Sequence, residues 1–165
     1  EYIQVFRELC TADKPSFEGK HYQMANLSFY PKPIQRPHPP VWIGGYTPAA
    51  LRRAVRLGDG WHPSNLLPEA LAEKAITLRR LCAEAGRDPA SLTISTRVNN
   101  VAFGASNDTT GRPAPISGTA QHMIDTIKRY EDAGVQHIVL GIRGHDAETM
   151  IAAARRFVDE VRPKV

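Results

Sequence analysis

Short apolar runs that read as strands alternate along this chain with amphipathic helical segments, and that alternation restricts it to βα units built around a mainly parallel sheet. The strand signals are Val41 to Ile43, Asp59 to Pro63, Leu92 to Phe103 and His137 to Ile142. Helices are expected over Pro48 to Leu57, Pro68 to Ala85, Thr119 to Ala133 and Asp146 to Val161. The clearest is Pro68 to Ala85, where Leu71, Ala75, Leu78, Cys82 and Ala85 recur at helical spacing and Gly86 follows. Cys82 therefore reads as core packing rather than as a nucleophile. Gly58 is expected to close its helix in a left-handed conformation. The apolar run His137 to Ile142 predicts a strand buried on both faces.

Two stretches break the alternation. After a first helix around Ile3, Val5, Phe6 and Leu9, the segment Asp13 to Pro40 is rich in proline and aromatics, with extended pieces expected at Phe17 to Met24 and Leu27 to Tyr30. Gly104 to Gly118 has no periodicity and is long for a plain connector, so it reads as a lid or binding loop.

One junction carries chemistry. In Pro39-Pro40-Val41-Trp42-Ile43-Gly44-Gly45-Tyr46-Thr47-Pro48 a strand runs through paired glycines into a helix that Thr47 would cap and Pro48 would begin. Glycine permits backbone angles and close approaches that a side chain blocks. Free amides at the helix start, with the positive end of its dipole, suit a phosphate held against the glycines. An ordinary strand-to-helix turn without a ligand is the competing reading of the same residues.

Composition narrows the partners. The chain has 165 residues, 42% hydrophobic, enough for one domain with a core. Its 21 basic residues outnumber 17 acids, but they scatter over the helices, and with 7% aromatics there is no basic stripe with stacking rings for nucleic acid. A small anionic ligand is compatible. Cys10 and Cys82 show neither metal spacing nor a disulfide framework, which fits a reducing cytoplasm. His21, His38, His122 and His137 lack metal-like spacing, so no metal is expected. No membrane span is expected, because no apolar run reaches about 18 residues. The absent initiator Met and the opening in mid-helix suggest a fragment.

Two architectures accommodate these units, a doubly wound sheet and a portion of a (β/α)8 barrel. A whole barrel takes eight units and typically about 250 residues, so on the barrel reading roughly half would be missing. The residues Phe17-Glu18-Gly19, Phe29-Tyr30-Pro31-Lys32-Pro33, Pro39 to Gly45, Gly58-Asp59-Gly60-Trp61 and Asp132-Ala133-Gly134-Val135 together resemble the luciferase-like monooxygenase family, closest to its deazaflavin (coenzyme F420)-dependent oxidoreductases.

That resemblance implies a TIM barrel of the bacterial-luciferase type, of which residues 1–165 are the C-terminal half of a single domain. It implies coenzyme F420, or alternatively FMN, with a small-molecule organic substrate, and a reductase partner if FMN is used. Gly44, Gly45, Tyr46 and Thr47 would lie beside the cofactor phosphate. The loop after the Gly-Asp-Gly-aromatic strand nominates His62 and Ser64. Arg143 and His145 follow the last strand, where barrel enzymes keep functional side chains. His62 reads either as a substrate-orienting or proton-transfer group or as a structural or cofactor contact. Arg97 reads either as a ligand for an anionic substrate or as half of an ion pair. Catalytic residues would come largely from strands outside this chain. A non-catalytic half-barrel that self-associates to cover its edges is the reading from another class.

Overall fold

The computed structural model describes residues 1–104 and 114–165. Most of the expected lid, residues 105–113, lies outside the described residues. Its described end is packed, with Ala114 and Ile116 both buried. The chain divides into two compact units, Glu1–Val41 and Trp42–Val165.

In the first unit, helix α1 (Tyr2–Thr11) is followed by a two-stranded antiparallel hairpin, β1 (Phe17–Glu18) and β2 (Gln23–Met24). The Glu1 carboxylate accepts the backbone amides of Lys20, His21 and Tyr22 at 3.0, 2.7 and 3.2 Å, and these bonds to the charged form lower its pKa. The Lys32 ammonium donates to the carbonyls of Leu9 and Ala12 at 2.8 and 2.5 Å, at the C-terminal end of α1 where a cation complements the dipole. Leu27 to Tyr30 is not a strand. Leu27 donates its amide to Pro15 instead, and Pro31 and Pro33 remove donors from any continuation.

In the second unit, β3 (Trp42–Gly44), α2 (Pro48–Leu57), β4 (Gly60–His62), α3 (Pro68–Glu84), β5 (Thr93–Phe103), β6 (Ser117–Gly118), α4 (Ala120–Asp132), β7 (His137–Ile142) and α5 (Ala147–Glu160) follow in order. Strands β3, β4, β5 and β7 pair in parallel and in chain order, while β6, among the described residues, pairs with the far end of β5. A doubly wound sheet reverses its strand order at a switch point. An order that always steps the same way is instead an arc of a barrel, with helices on one side only.

The helix side of the arc is the core. Ile43, Trp61, Ile94 and Val98 are buried on that side of the strands, and Leu51, Ala54, Val55, Leu71, Ala75 and Leu78 are buried on α2 and α3. Cys82 is buried among them, and burial pushes its thiol pKa up. Helix α2 begins as its residues predict, with Thr47 Oγ1 accepting the Ala50 amide at 3.2 Å and Pro48 in the first turn. Gly86 and Gly134 follow α3 and α4 with φ of +65° and +92°.

Two expectations fail here. Gly58 has φ −92°, not a left-handed angle; its lack of a side chain serves packing, since a Cβ there would come within 2.8 Å of Ile43 and 2.9 Å of the Ala54 carbonyl. Nor is β7 buried on both faces: His137 and Val139 are exposed on its inner side, because the arc leaves that side open. Helix α5 likewise has no buried residue, and Met150, Ile151 and Val158 of its apolar stripe are exposed.

Candidate functional site

Side chains alternate across each strand, so those pointing away from the helices line the inner face of the arc. The register sorts them into rows. Trp42 pairs with Gly60 and Gly60 with Thr93; next along the strands, Gly44 pairs with His62, and Ser95 with His137. The pairing of Trp61 with Ile94 sets His62 alongside Ser95, giving one row of Gly44, His62, Ser95 and His137. Beyond it, nearer the carboxyl ends, Ser64 bridges Arg97, and Arg97 pairs with Val139.

The glycine corner closes the rim of the arc at β3. Gly45 has φ +83°, which only glycine adopts without strain. A Cβ on Gly44 would find no atom nearer than the His62 carbonyl at 3.8 Å, so its inner side is open. The amides of Tyr46, Thr47 and Ala49 have no hydrogen-bond partner among the described residues, and Pro48 has none to offer. The buried indole of Trp61 donates to the Gly45 carbonyl at 2.7 Å and so pins the turn from below. This bond joins the Gly-Gly turn to the Gly-Asp-Gly-Trp segment. In the sequence the indole and the turn lie 16 residues apart, and nothing in that spacing shows that they meet.

The row below holds an aromatic. Gly60 makes room for it: a Cβ there would lie 2.6 Å from Trp42 Cδ1 and 2.8 Å from its Nε1. The Trp42 ring lies 5.6 Å from that of His62 and 5.4 Å from that of His137. His62 Nδ1 is 2.7 Å from Ser95 Oγ, and Ser95 also lies 3.4 Å from the Trp61 carbonyl. Burial, then the nearby His137 and Arg97, lower the His62 pKa. Both effects disfavour the cation.

Arg97 is braced, and no ion pair to it is seen among the described residues. Its Nε donates to Asn99 Oδ1 at 2.9 Å. Asn65, in a left-handed conformation at φ +55°, donates its amide to the Arg97 carbonyl at 2.8 Å and accepts the Asn99 amide at 2.9 Å. The sequence-nominated His62, Ser64 and Arg97 thus come together with Gly44 on one inner surface, and Gly45, Tyr46 and Thr47 form its rim. Arg143 is anchored by its amide to the Val101 carbonyl at 2.9 Å, past the end of β7, and its side chain is exposed with no partner among the described residues. His145 lies farther along the same loop. Neither joins the rows. Sequence reasoning passed over Ser95 and His137, which alternation along β5 and β7 places on the inner face. Among the described residues, no group of three or more His, Cys, Asp or Glu is arranged to hold a metal. No helix among them is long and apolar enough to cross a membrane.

A one-directional arc of parallel βα units, with a glycine corner at its carboxyl rim and polar side chains inside, defines part of a TIM barrel, and these candidate residues lie at the end where barrel enzymes keep their sites. The profile of the luciferase-like monooxygenases matches residues 1–108, and the chain belongs to that family. The uncharacterized protein Rv0940c of Mycobacterium tuberculosis is 30% identical over 173 residues, covering all of this chain and 52% of that protein. Mb0965c of Mycobacterium bovis, also uncharacterized, matches to the same extent. The chain therefore spans about half the length of these relatives.

Among solved structures, an F420-dependent secondary alcohol dehydrogenase with an F420-acetone adduct superposes with a TM-score of 0.75 at 18% identity, over 99% of this chain and 60% of that one. A coenzyme F420-dependent tetrahydromethanopterin reductase from Methanopyrus kandleri gives 0.74 at 15% identity, over 98% and 61%. The monooxygenase RslO1 from Streptomyces bottropensis gives 0.72 at 18%, over 95% and 57%. At these identities the likeness establishes the fold, a luciferase-like barrel of which the chain forms part.

Proposed function

We propose that this chain forms the coenzyme-phosphate side of an F420-dependent oxidoreductase, in which hydride passes between the deazaflavin and an organic substrate. The observation that carries the reading is the corner itself: amides of Tyr46, Thr47 and Ala49 without a partner among the described residues, beside an open Gly44 and held in place by the Trp61 bond to Gly45. Such donors suit a phosphate, and each charge-assisted bond contributes roughly 1.5–3 kcal/mol. The coenzyme, when bound, supplies the hydride chemistry. The chain's own residues hold and orient. Gly44, Gly45, Tyr46 and Thr47 grip the phosphate, Ser64 adds a hydroxyl at the rim, and His62 and Arg97 face the substrate, with Arg143 flanking the opening. Four further βα units close the barrel around them and supply the groups that complete catalysis.

An FMN-dependent monooxygenase, fed reduced flavin by a reductase and using O2, shares this phosphate chemistry. Titrating the full-length protein separately with F420 and FMN, followed by absorbance and fluorescence, decides between them. Tight FMN binding with no response to F420 would reverse the order. A second reading has one observation in its favour, the uncovered apolar stripe of α5: two copies of this chain would cover each other's open faces. Light scattering on this chain tests it, and a monomer at all concentrations would refute self-association.

A further inference from the structure

We infer that the inner face of the arc takes an anionic group of the organic substrate, a carboxylate or a phosphate, between Arg97, His62 and His137. This rests on the coenzyme reading above and names the substrate class that reading leaves open. Three observations lead to it.

The first is charge. None of the side chains that β3, β4, β5 and β7 present on this face is acidic, while two imidazoles and a guanidinium are gathered there in adjacent rows. The second is preorganisation. Asn99 and Asn65 hold the Arg97 fork by its Nε and its backbone, and its two terminal nitrogens are left without a partner among the described residues. A guanidinium fixed in this way loses little freedom on binding and offers two parallel donors to a carboxylate or phosphate. The third is the setting of the imidazoles. His62 is tied through Nδ1 to Ser95, and both His62 and His137 lie against the Trp42 ring, so their remaining polar edges are directed by packing rather than free to rotate.

The groups facing His62 are Ser95 and Arg97 on β5, His137 on β7 and the Trp42 ring on β3, and among the described residues no carboxylate is one of those affecting its protonation. An arriving anion supplies the missing counter-charge. It favours protonation of the His62 imidazole, which its present neighbours disfavour, so binding strengthens as pH falls.

The test uses this chain with inorganic phosphate at constant ionic strength, read by the imidazole NMR signals of His62 and His137 and by tryptophan fluorescence. Saturable shifts of both imidazoles are expected, stronger at lower pH. Arg97→Gln should weaken binding by roughly tenfold or more, the equivalent of one charge-assisted pair. Arg97→Lys, which keeps the charge without the fork, should recover part of it. His137→Gln should weaken binding in the same direction, and Arg52→Gln, on the outer surface of α2, should leave it unchanged.

Phosphate has a second candidate seat at the glycine corner. If Gly44→Val abolishes the response while Arg97→Gln does not, the anion sits at the coenzyme corner, and the substrate inference falls while the coenzyme reading stands. If phosphate binding depends on Arg97 but the full-length protein binds neither F420 nor FMN, the coenzyme reading falls and the anion site stands. Equal shifts with glycerol, a neutral polyol, would overturn the inference outright.

Discussion

Substituting Gly44 and Gly45 separates what the corner does for the fold from what it does for a ligand. The two glycines are adjacent but differ in geometry. Gly45 has φ +83°, and a Cβ added to it would lie 3.3 Å from the Ala50 Cβ, tighter than usual packing. An L-residue in the left-handed region costs about 1–2 kcal/mol. For a chain of this size each kcal/mol lowers Tm by about 2–4 °C, so Gly45→Ala should lower it by about 2–8 °C. Gly44 has no such angle, and its nearest neighbour would be 3.8 Å away. Valine suits a strand, and removing a flexible glycine from one recovers about 0.5–1 kcal/mol, so Gly44→Val should melt at or slightly above the parent.

The ligand effects run the other way. Ile43 faces the helices, which turns Gly44 to the inner side, and a valine there places its methyls where a phosphate would meet the corner amides. Losing one charge-assisted bond weakens coenzyme binding by about tenfold, and losing two by more than a hundredfold. Thermal melts of this chain and coenzyme titrations of the full-length protein provide the two readouts. A Gly44→Val protein that melts like the parent and binds coenzyme as tightly as the parent would refute the corner as the phosphate seat. A Gly45→Ala protein with unchanged Tm would refute the strain argument.

The remaining predictions concern stability and pH. Tyr130 is fully buried and donates its hydroxyl to the Leu66 carbonyl at 2.6 Å, so Tyr130→Phe should cost about 1–2 kcal/mol in denaturant unfolding by stranding that carbonyl. Burial pushes its pKa from 10.0 up to about 12, so the folded state holds this proton more tightly than the unfolded chain; stability should be intact below pH 10 and drain away toward pH 12, a loss absent from the Phe variant. Arg87 Nη1 donates to the Val55 and Gly58 carbonyls, both at 2.8 Å, closing the end of α2, and Arg87→Gln should cost about 1.5–3 kcal/mol by the same measurement. Gly60→Ala should displace the Trp42 ring, cost about 1–3 kcal/mol by overpacking and shift tryptophan emission, whereas unchanged emission would refute the close approach. The lowered pKa of His62 means that the unfolded chain takes up its proton first as pH falls below 6.5, so stability declines there, and His62→Gln should flatten that part of the pH-stability curve.

Much of this architecture was legible because local signals and tertiary demand agree. Thr47 and Pro48 start α2 where their capping chemistry places it, and the apolar spacing of Leu71, Ala75, Leu78 and Cys82 became a buried face. The misreadings occur where a residue type serves two purposes. Glycine after a helix suggests a left-handed cap, yet Gly58 is glycine because Ile43 and the α2 backbone leave no room for a Cβ. An apolar strand suggests two covered faces, yet the arc leaves the inner face of β7 open, and His137 and Val139 are exposed there. The structure sets Gly44, His62 and Arg97 on one inner surface, and these residues were nominated from motif and position. Ser95 and His137 were not, because their meeting depends on the relative register of three strands, which no single segment encodes.

That register also explains why the inner face departs from an ordinary barrel interior. Bulky branched side chains usually fill such a barrel in layers. Here the row level with Gly44 holds His62, Ser95 and His137, and the next holds Ser64 and Arg97 beside Val139. Polar side chains at such positions need partners once closure removes water, and Ser95 with His62 and Asn99 with Arg97 satisfy only part of that need. The unsatisfied remainder, the terminal nitrogens of Arg97 and the free edges of the two imidazoles, faces the same side as the open Gly44. On the substrate class inferred above, a negatively charged guest would complete that bonding, so the same polar rows that leave the face unlike an ordinary barrel interior would set the charge of its ligand.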